Sequence, residues 1–170
     1  MSVLPSTDPK RIYIASGLEN APAVCQLRDA LVKAGHFITY DWTTHGRVAG
    51  ERRVLWRIAV NELEFGVSGA DVVLVLLPGG LGTHTEMGFA LAKGIPVVLC
   101  ATSEHAPLFD SHHPRTTMGY HHPLVLHQVV ADSTREMVDH LLPLLAALPS
   151  QGAVHEALVH AGGSVHDHPP

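Results

Sequence analysis

The sequence predicts an α/β protein in which a parallel sheet of about five strands carries helices on both faces, in a flavodoxin-like or Rossmann-like three-layer arrangement. Short runs rich in Val, Ile and Leu, above all residues 72–77, are typical of strands buried on both faces. Segments with helical periodicity alternate with these runs along the chain. This alternation predicts repeated strand–helix–strand units and hence a parallel sheet.

The composition is that of one compact domain. The chain has 170 residues, of which 46% are apolar and 16% charged, so a sizeable core can form. A formal charge of −5 without a basic patch argues against a nucleic-acid partner. No apolar run approaches the roughly 20 residues that span a bilayer, so no membrane partner is expected. Cys25 and Cys100 are isolated and indicate thiols in a reducing cytoplasm, and the first residues lack a signal-peptide pattern.

The pattern divides the chain into three parts. Residues 1–10 are expected to form a flexible arm, residues 11–148 the folded domain, and residues 149–170 a mobile tail rich in His and Gly. Within the domain, apolar runs and alternation predict strands at 11–15, 36–40, 72–77, 95–100 and 123–130. Helical periodicity, capping residues and closing glycines predict helices at 19–34, 51–67, 83 or 85 to 93, and 133–148.

A glycine-rich loop follows the central strand and carries the first candidate for chemistry. Pro78 stops the strand, and Thr83 or Thr85 is expected to cap the next helix. Glu86 then falls in the first helical turn, where the helix dipole favours an ionised carboxylate. Ligands of open parallel sheets bind outside the carboxyl ends of the strands, so Glu86 is a candidate functional residue. The alternative is an ordinary first-turn glutamate that forms a capping box with Thr83.

The ends of the first two strands supply further candidates. Ser16 and Gly17 follow the first strand, and this pair alone is only a weak phosphate-binding signal because no G-x-G-x-x-G pattern is present. Trp42 can stack on a base or close the core, and Asp41 can accept a ligand hydroxyl or bond its own turn. The candidate substrate-binding residues are Ser16, Gly17, Asp41, Trp42, Gly79, Gly80, Gly82, Thr83 and His84.

Three stretches resemble the nucleoside 2-deoxyribosyltransferase family: I-Y-I-A-S-G at 12–17, T-Y-D-W-T at 39–43, and residues 70–99 with the pattern G-T-x-x-E-x-G-x-A-x-x-x-G-x-P. The resemblance implies that Glu86 attacks the anomeric carbon of a 2'-deoxynucleoside, that a free base leaves, and that another base accepts the sugar. It implies that Tyr13 positions this nucleophile. It further implies small-molecule nucleosides, nucleotides and bases as partners, no cofactor, and a homo-oligomer built from dimers.

The chain departs from the family pattern at two positions. The family aspartate that handles protons on the base corresponds to Leu63, which lies between Glu62 and Glu64. Either glutamate is a candidate for that role if the helix is shifted by one residue. A second base-contacting aspartate corresponds to Gly80, so the resemblance implies glycosidic-bond chemistry more firmly than transfer.

Two other families of N-glycosidic-bond enzymes share parts of the pattern. Deoxynucleoside 5'-monophosphate N-glycosidases share the tyrosine and the glutamate, and Ser16 lies near one of their phosphate-binding serines. P-G-G-x-G-T-x-x-E at 78–86 also resembles cytokinin-activating phosphoribohydrolases. A nucleotide-binding module without turnover is the alternative from a different class. The histidine-rich segment 105–127 lacks metal-ligand spacing, so no metal is expected, and a loop that reaches over a neighbouring subunit is favoured.

Overall fold

The five strands form one parallel sheet with the order β2-β1-β3-β4-β5. The computed structural model describes residues 8–46, 48 and 50–148, so most of the predicted arm and the whole predicted tail lie outside the described residues. The strands are β1 (Arg11–Ser16), β2 (Phe37–Ile38), β3 (Val72–Leu76), β4 (Val97–Ala101) and β5 (Val125–Val130). This order is that of the flavodoxin-like doubly wound fold, which confirms the predicted fold class.

Helices cover both faces of the sheet. They are α1 (Ala21–Lys33), α2 (Arg52–Val60), a π-helical segment (Asn61–Val67), α3 (Leu81–Ala92) and α4 (Thr134–Ala147). The chain moves from β1 to β2 in one direction and from β3 to β4 in the other, so right-handed crossovers place α1 and α3 on opposite faces. Accordingly α1 packs against α4, while α3 packs against the π-helical segment. None of the described helices combines the length and hydropathy that crossing a bilayer requires.

The centre of the sheet is wholly buried, as its apolar runs predict. Every residue of β3 and β4 is buried, because each strand has a neighbour on both sides and helices above and below. The edge strand β2 differs from the prediction, since it spans two residues instead of five. It pairs only with β1, and Phe37 is 62% exposed, so little packing extends it. The Thr39 hydroxyl instead donates to the Gly66 carbonyl at 2.7 Å.

The second helix was expected to run without interruption over 51–67, and this expectation is wrong in its second half. Residues 61–67 adopt π-helical geometry, whose wider turn changes the direction of every following side chain relative to an α-helix. Gly66 lies against the aromatic ring of Tyr13 at this point. A β-carbon built on Gly66 would lie 2.7 Å from Cε2 of Tyr13. The glycine therefore permits the π-helical segment to approach β1.

The third helix begins earlier than predicted, because neither Thr83 nor Thr85 is its cap. Gly80 is the N-cap, with extended backbone at φ −91° and ψ −167°. The Gly80 N–H donates to Thr83 Oγ1 at 3.2 Å, and the Thr85 hydroxyl donates to the Leu81 carbonyl at 2.9 Å. Glu86 is consequently the sixth helical residue and lies in the second turn, not in the first.

We expect Gly66→Ala to destabilise the protein by about 1–3 kcal/mol, because the added methyl group overpacks the contact with Tyr13. Urea denaturation measures this as a lower midpoint. Gly88→Ala is the matched control, since Gly88 is exposed within α3 and a β-carbon there meets nothing within 4 Å. Alanine in that helix interior is expected to stabilise by about 0.5–1 kcal/mol. Equal midpoints for the two variants would contradict the close packing of the π-helical segment on β1.

Candidate active site

A cavity of about 320 Å³ lies at the carboxyl ends of β1 and β3. These two strands are neighbours at the point where the strand order reverses, which is where open α/β sheets bind ligands. The described residues that line it come from four separate stretches of the chain. They are Ser16, Gly17, Leu18, Glu19, Trp42, His45, Gly46, Val48, Leu55, Ile58, Glu62, Gly80, Leu81, Gly82, Thr83 and Glu86.

Glu86 and Tyr13 form a buried hydrogen bond beside this cavity. The Tyr13 hydroxyl donates to Oε1 of Glu86 at 2.6 Å. Glu86 is 6% exposed and Tyr13 is fully buried within the sheet. Because Tyr13 belongs to a central strand and Glu86 to a helix packed on that sheet, the bond holds one carboxyl oxygen in a defined place. The structure thus brings together the two residues that the sequence paired as nucleophile and positioning residue.

Burial governs the protonation of this pair. Desolvation raises the pKa of Glu86 to about 8, the Tyr13 hydrogen bond opposes this rise, and the charge of Glu62 adds to it. The expectation that Glu86 lies in the first turn, where the helix dipole favours its ionised form, is wrong, since it is the sixth residue of α3. Burial and the Glu86 charge also raise the pKa of Tyr13, so its hydroxyl stays a donor.

Of the two glutamates that flank Leu63 in the sequence, only Glu62 lines the cavity. Glu62 lies in the first turn of the π-helical segment, half-buried, and burial raises the pKa of its carboxyl group while His45 opposes the rise. Leu63 packs partly buried against the core, and Glu64 is exposed to solvent. Successive residues of a helix point in different directions, so only one of the three can face the cavity.

Most of the predicted loop residues lie in the cavity wall. Ser16 is tied to the neighbouring strand, because its hydroxyl donates to the Leu76 carbonyl at 2.7 Å and accepts from Asn20 Nδ2 at 3.1 Å. Gly79 does not line the cavity. A β-carbon at Gly79 would lie 2.7 Å from Cγ2 of Thr83, so this glycine allows the loop to pack on the buried threonine. The glycine-rich loop is therefore packed against the start of α3.

Asp41 and Trp42, the two candidates that follow β2, differ in position, because only Trp42 lines the cavity. Trp42 is 4% exposed, lines the cavity, and donates through Nε1 to the Ile14 carbonyl at 2.7 Å. Asp41 is not among the lining residues. It caps a short 3-10 turn through the Thr43 N–H and pairs with Arg28 at 2.6 Å. One carboxylate oxygen is thus held within the turn and the other by Arg28 of α1.

His84 also lies outside the cavity wall, and both of its ring nitrogens have partners. Nδ1 lies 2.7 Å from the Gly80 carbonyl and Nε2 lies 2.7 Å from the Tyr120 hydroxyl. A neutral ring that donates from Nδ1 and accepts at Nε2 satisfies both contacts. His84 therefore joins the start of α3 to the histidine-rich segment, which forms two short 3-10 turns, Ala106–Phe109 and Met118–His121.

Two polar lining residues were missed by the sequence analysis. Glu19 lies in the turn after β1, and its carboxylate lies against Gly17. His45 follows the Asp41–Thr44 turn, and its Nε2 lies 3.5 Å from Oε1 of Glu62. The sequence did contain a signal that His45 lies near the site, since His45 follows the same strand as Trp42. Nothing in the local pattern distinguished it from the other histidines.

Metal-ligand clusters were sought among the same side chains. Across residues 8–46, 48 and 50–148, no group of three or more His, Cys, Asp or Glu side chains is arranged to hold a metal ion. Two acidic residues of the cavity lining, Glu62 and Glu86, have carboxyl groups with raised pKa values. Carboxyl groups of this kind can serve acid–base or nucleophilic chemistry.

The chain matches no known family model and no curated protein. Among solved structures, it is similar in fold to the CMP N-glycosidase BcmB of Clostridium botulinum, with 15% identity, a TM-score of 0.48, and coverage of 78% of this chain and 98% of that chain. It is also similar to a conserved protein of Enterococcus faecalis V583, with 20% identity, a TM-score of 0.45, and coverage of 81% and 99%. These similarities concern the fold and assign no activity. Self-association and a cytoplasmic location stay predictions from the sequence.

Glu86→Gln is expected to stabilise the folded protein at alkaline pH. The pKa of Glu86 is about 8 in the folded state against an ordinary value of 4.5, so between these values the folded chain binds a proton that the unfolded chain has lost. The contribution of Glu86 to the free energy of unfolding therefore falls as pH rises through this window. Each pKa unit corresponds to about 1.4 kcal/mol, so the variant gains several kcal/mol near pH 9.

Thermal unfolding at about pH 5 and about pH 9 measures this difference. The Tm advantage of Glu86→Gln over the wild type is expected near pH 9 and absent near pH 5. Glu104→Gln is the matched control, because Glu104 is exposed and the same substitution there removes no buried charge. A Glu86→Gln protein that is less stable than the wild type at both pH values would contradict the burial argument.

Proposed function

We propose that this protein is a nucleoside 2-deoxyribosyltransferase, in which Glu86 displaces the base of a 2'-deoxynucleoside and the enzyme-bound sugar passes to a second base. Tyr13 holds Glu86 for attack. The proposal joins the geometry of the cavity to the resemblance of residues 12–17, 39–43 and 70–99 to that family. The coarser part, cleavage of an N-glycosidic bond, is common to each of the enzymatic alternatives.

The observation that carries the proposal is the Tyr13–Glu86 hydrogen bond at the cavity. A carboxylate is a suitable nucleophile for an anomeric carbon because it also stabilises the cationic, oxocarbenium-like transition state. The 2.6 Å bond fixes one carboxyl oxygen, so the second is available to the substrate. A buried carboxyl group with a pKa near 8 is costly to keep ionised, which favours a catalytic role over a passive binding role.

A departing base needs a proton, and Glu62 is the carboxyl group placed to give it. It lines the same cavity as Glu86, and its raised pKa favours the protonated form that a general acid requires. The two carboxyl groups differ in environment: Glu86 has a tyrosine donor and Glu62 has a histidine neighbour. The Tyr13 hydrogen bond favours the ionised form of Glu86, and this supports Glu86 as the nucleophile and Glu62 as the acid.

The lining of the cavity favours a nucleoside over a 5'-monophosphate. Among the described lining residues, three carry carboxylates, namely Glu19, Glu62 and Glu86, while His45 is the single basic side chain. The carboxylate of Glu19 and the ionised nucleophile Glu86 repel a phosphate dianion in a partly buried site. The apolar lining residues Leu55 and Ile58 suit the face of a base.

We expect Glu86→Gln to reduce kcat/KM at least about a thousandfold, because the amide cannot form the glycosyl ester. The assay is chromatography of deoxynucleosides and their 5'-monophosphates, each with and without a free acceptor base. A new nucleoside that forms only with acceptor supports transfer. Intact-protein mass measurement is expected to show one deoxyribosyl group on the wild type and none on Glu86→Gln.

Other outcomes of this assay separate the alternatives. Free base released from monophosphates without an acceptor identifies the N-glycosidase alternative. Ligand-induced stabilisation with no product in any mixture identifies the binding module. Undiminished activity of Glu86→Gln would reject Glu86 as the nucleophile. Glu104→Gln, an exposed carboxyl group away from the cavity, controls for the loss of one negative charge.

Tyr13→Phe is expected to lower kcat/KM about 10- to 100-fold, since it removes a hydrogen bond to a charged group. That hydrogen bond lowers the pKa of Glu86, so its loss raises this pKa further. The acidic limb of the pH–rate profile, which reports ionisation of the nucleophile, therefore moves to higher pH. An acidic limb that stays in place or moves to lower pH would show that Tyr13 does not set the ionisation of Glu86.

A further inference from the structure

His45 stands at the cavity with one ring nitrogen that has no hydrogen-bond partner. Nε2 is buried and unpaired, while Nδ1 lies 3.0 Å from the Gly46 carbonyl. The group that faces Nε2 is the carboxyl of Glu62, whose Oε1 lies 3.5 Å away. This separation exceeds that of a formed hydrogen bond by a few tenths of an ångström, and catalytic contacts of this kind shorten when substrate binds.

The contact at Nδ1 restricts the protonation state of the ring. A carbonyl oxygen can only accept, so Nδ1 carries a proton when it bonds to Gly46. Nε2 then either bears no proton or bears the second proton of an imidazolium. In the second case it donates to Oε1 of Glu62, and this removes the unpaired buried nitrogen. The orientation of the ring is thus suited to a positive charge beside Glu62.

Among the described residues that line the cavity, the titratable groups other than His45 are acidic. Glu62 faces it from the π-helical segment, Glu86 lines the same cavity from α3, and Glu19 lines it from the turn after β1. The Tyr40 ring lies 6.3 Å from the imidazole, centroid to centroid. Tyr13 is directed to Glu86. Among the described lining residues His45 is the basic one, so it is the available counter-charge for two carboxyl groups.

We propose that His45 is a positioning residue for Glu62, whose imidazolium holds Oε1 of Glu62 and offsets the negative charge that moves between Glu86 and Glu62 during the reaction. This inference rests on the proposed function. The reactive protonation state has Glu86 as a carboxylate, despite its raised pKa, Glu62 as a carboxylic acid and His45 as an imidazolium. As the C1'–N bond breaks, its electron pair stays on the base nitrogen, and an oxygen of Glu86 bonds to C1'.

The proton of Glu62 then completes the departing base. The site now holds an ester at Glu86, a carboxylate at Glu62 and the same imidazolium, so its net charge is unchanged. When the acceptor base attacks C1', it gives its proton to Glu62, and the carboxylate of Glu86 is released. In a low-dielectric cavity a constant net charge avoids the free-energy cost of an uncompensated carboxylate in either half of the reaction.

His45→Gln tests the positive charge, because glutamine keeps a hydrogen-bond donor and removes the imidazolium. We expect kcat/KM at pH 7 to fall about 10- to 100-fold and the alkaline limb of the pH–rate profile, which reports the acid Glu62, to move to higher pH, because loss of His45 raises the pKa of Glu62. His140→Gln, an exposed position on α4, is the matched control and is expected to leave the profile unchanged. An equal loss at every pH indicates a merely structural role and overturns the inference.

A second measurement does not depend on turnover. In a ¹³C NMR titration of the carboxyl groups, His45→Gln is expected to raise the pKa of Glu62, because His45 lowers it in the wild type. A wild type that cleaves no nucleoside rejects the proposed function, while this titration still tests the pairing. An active enzyme in which the pKa of Glu62 does not respond to His45→Gln overturns the inference and leaves the function intact. In a Glu62→Gln background, His45→Gln is expected to move the profile no further.

Discussion

The hydrogen bond between Tyr13 and Glu86 is the interaction on which the site depends. It connects the strand β1 to the helix α3, so its geometry follows from the packing of that helix on the sheet. Burial of both partners strengthens the bond, because no water competes for the carboxyl oxygen. The same burial raises the pKa of Glu86 and makes the ionised form costly. The protein thus keeps a destabilised carboxyl group in its core, a cost that is typical of functional sites.

The π-helical segment supplies the second half of the site. It places Glu62 at the cavity while Leu63 packs against the core, and Gly66 allows the segment to approach the ring of Tyr13. π-Helical turns are often found at functional sites, since they redirect side chains within a continuous helix. Here the segment contacts the tyrosine that donates a hydrogen bond to Glu86 and also carries the second carboxyl group. The two acidic groups are consequently placed by one packing arrangement.

Much of the fold could be predicted because it depends on local patterns. The buried runs of β3 and β4 marked the centre of the sheet, and Ser133 marked the start of α4, where it accepts the Glu136 N–H at 3.2 Å. Two errors have different causes. β2 is short because it lies at the sheet edge, and no local pattern reveals that position. α3 begins at Leu81 because Thr83 accepts the Gly80 N–H from inside the helix, a local contact in which Thr83 is the third helical residue and not the cap.

The sequence by itself determined the parallel sheet, the glycine loop at the end of β3, and the pairing of Tyr13 with Glu86, since hydrophobic runs, glycines and a resembling motif are linear features. Only the tertiary structure decided that Glu62 and not Glu64 reaches the cavity, and that Asp41 is held by Arg28. It alone placed His45 beside Glu62. The physical reason is that side-chain direction, burial and charge proximity arise from elements far apart in the chain, and no local pattern encodes them.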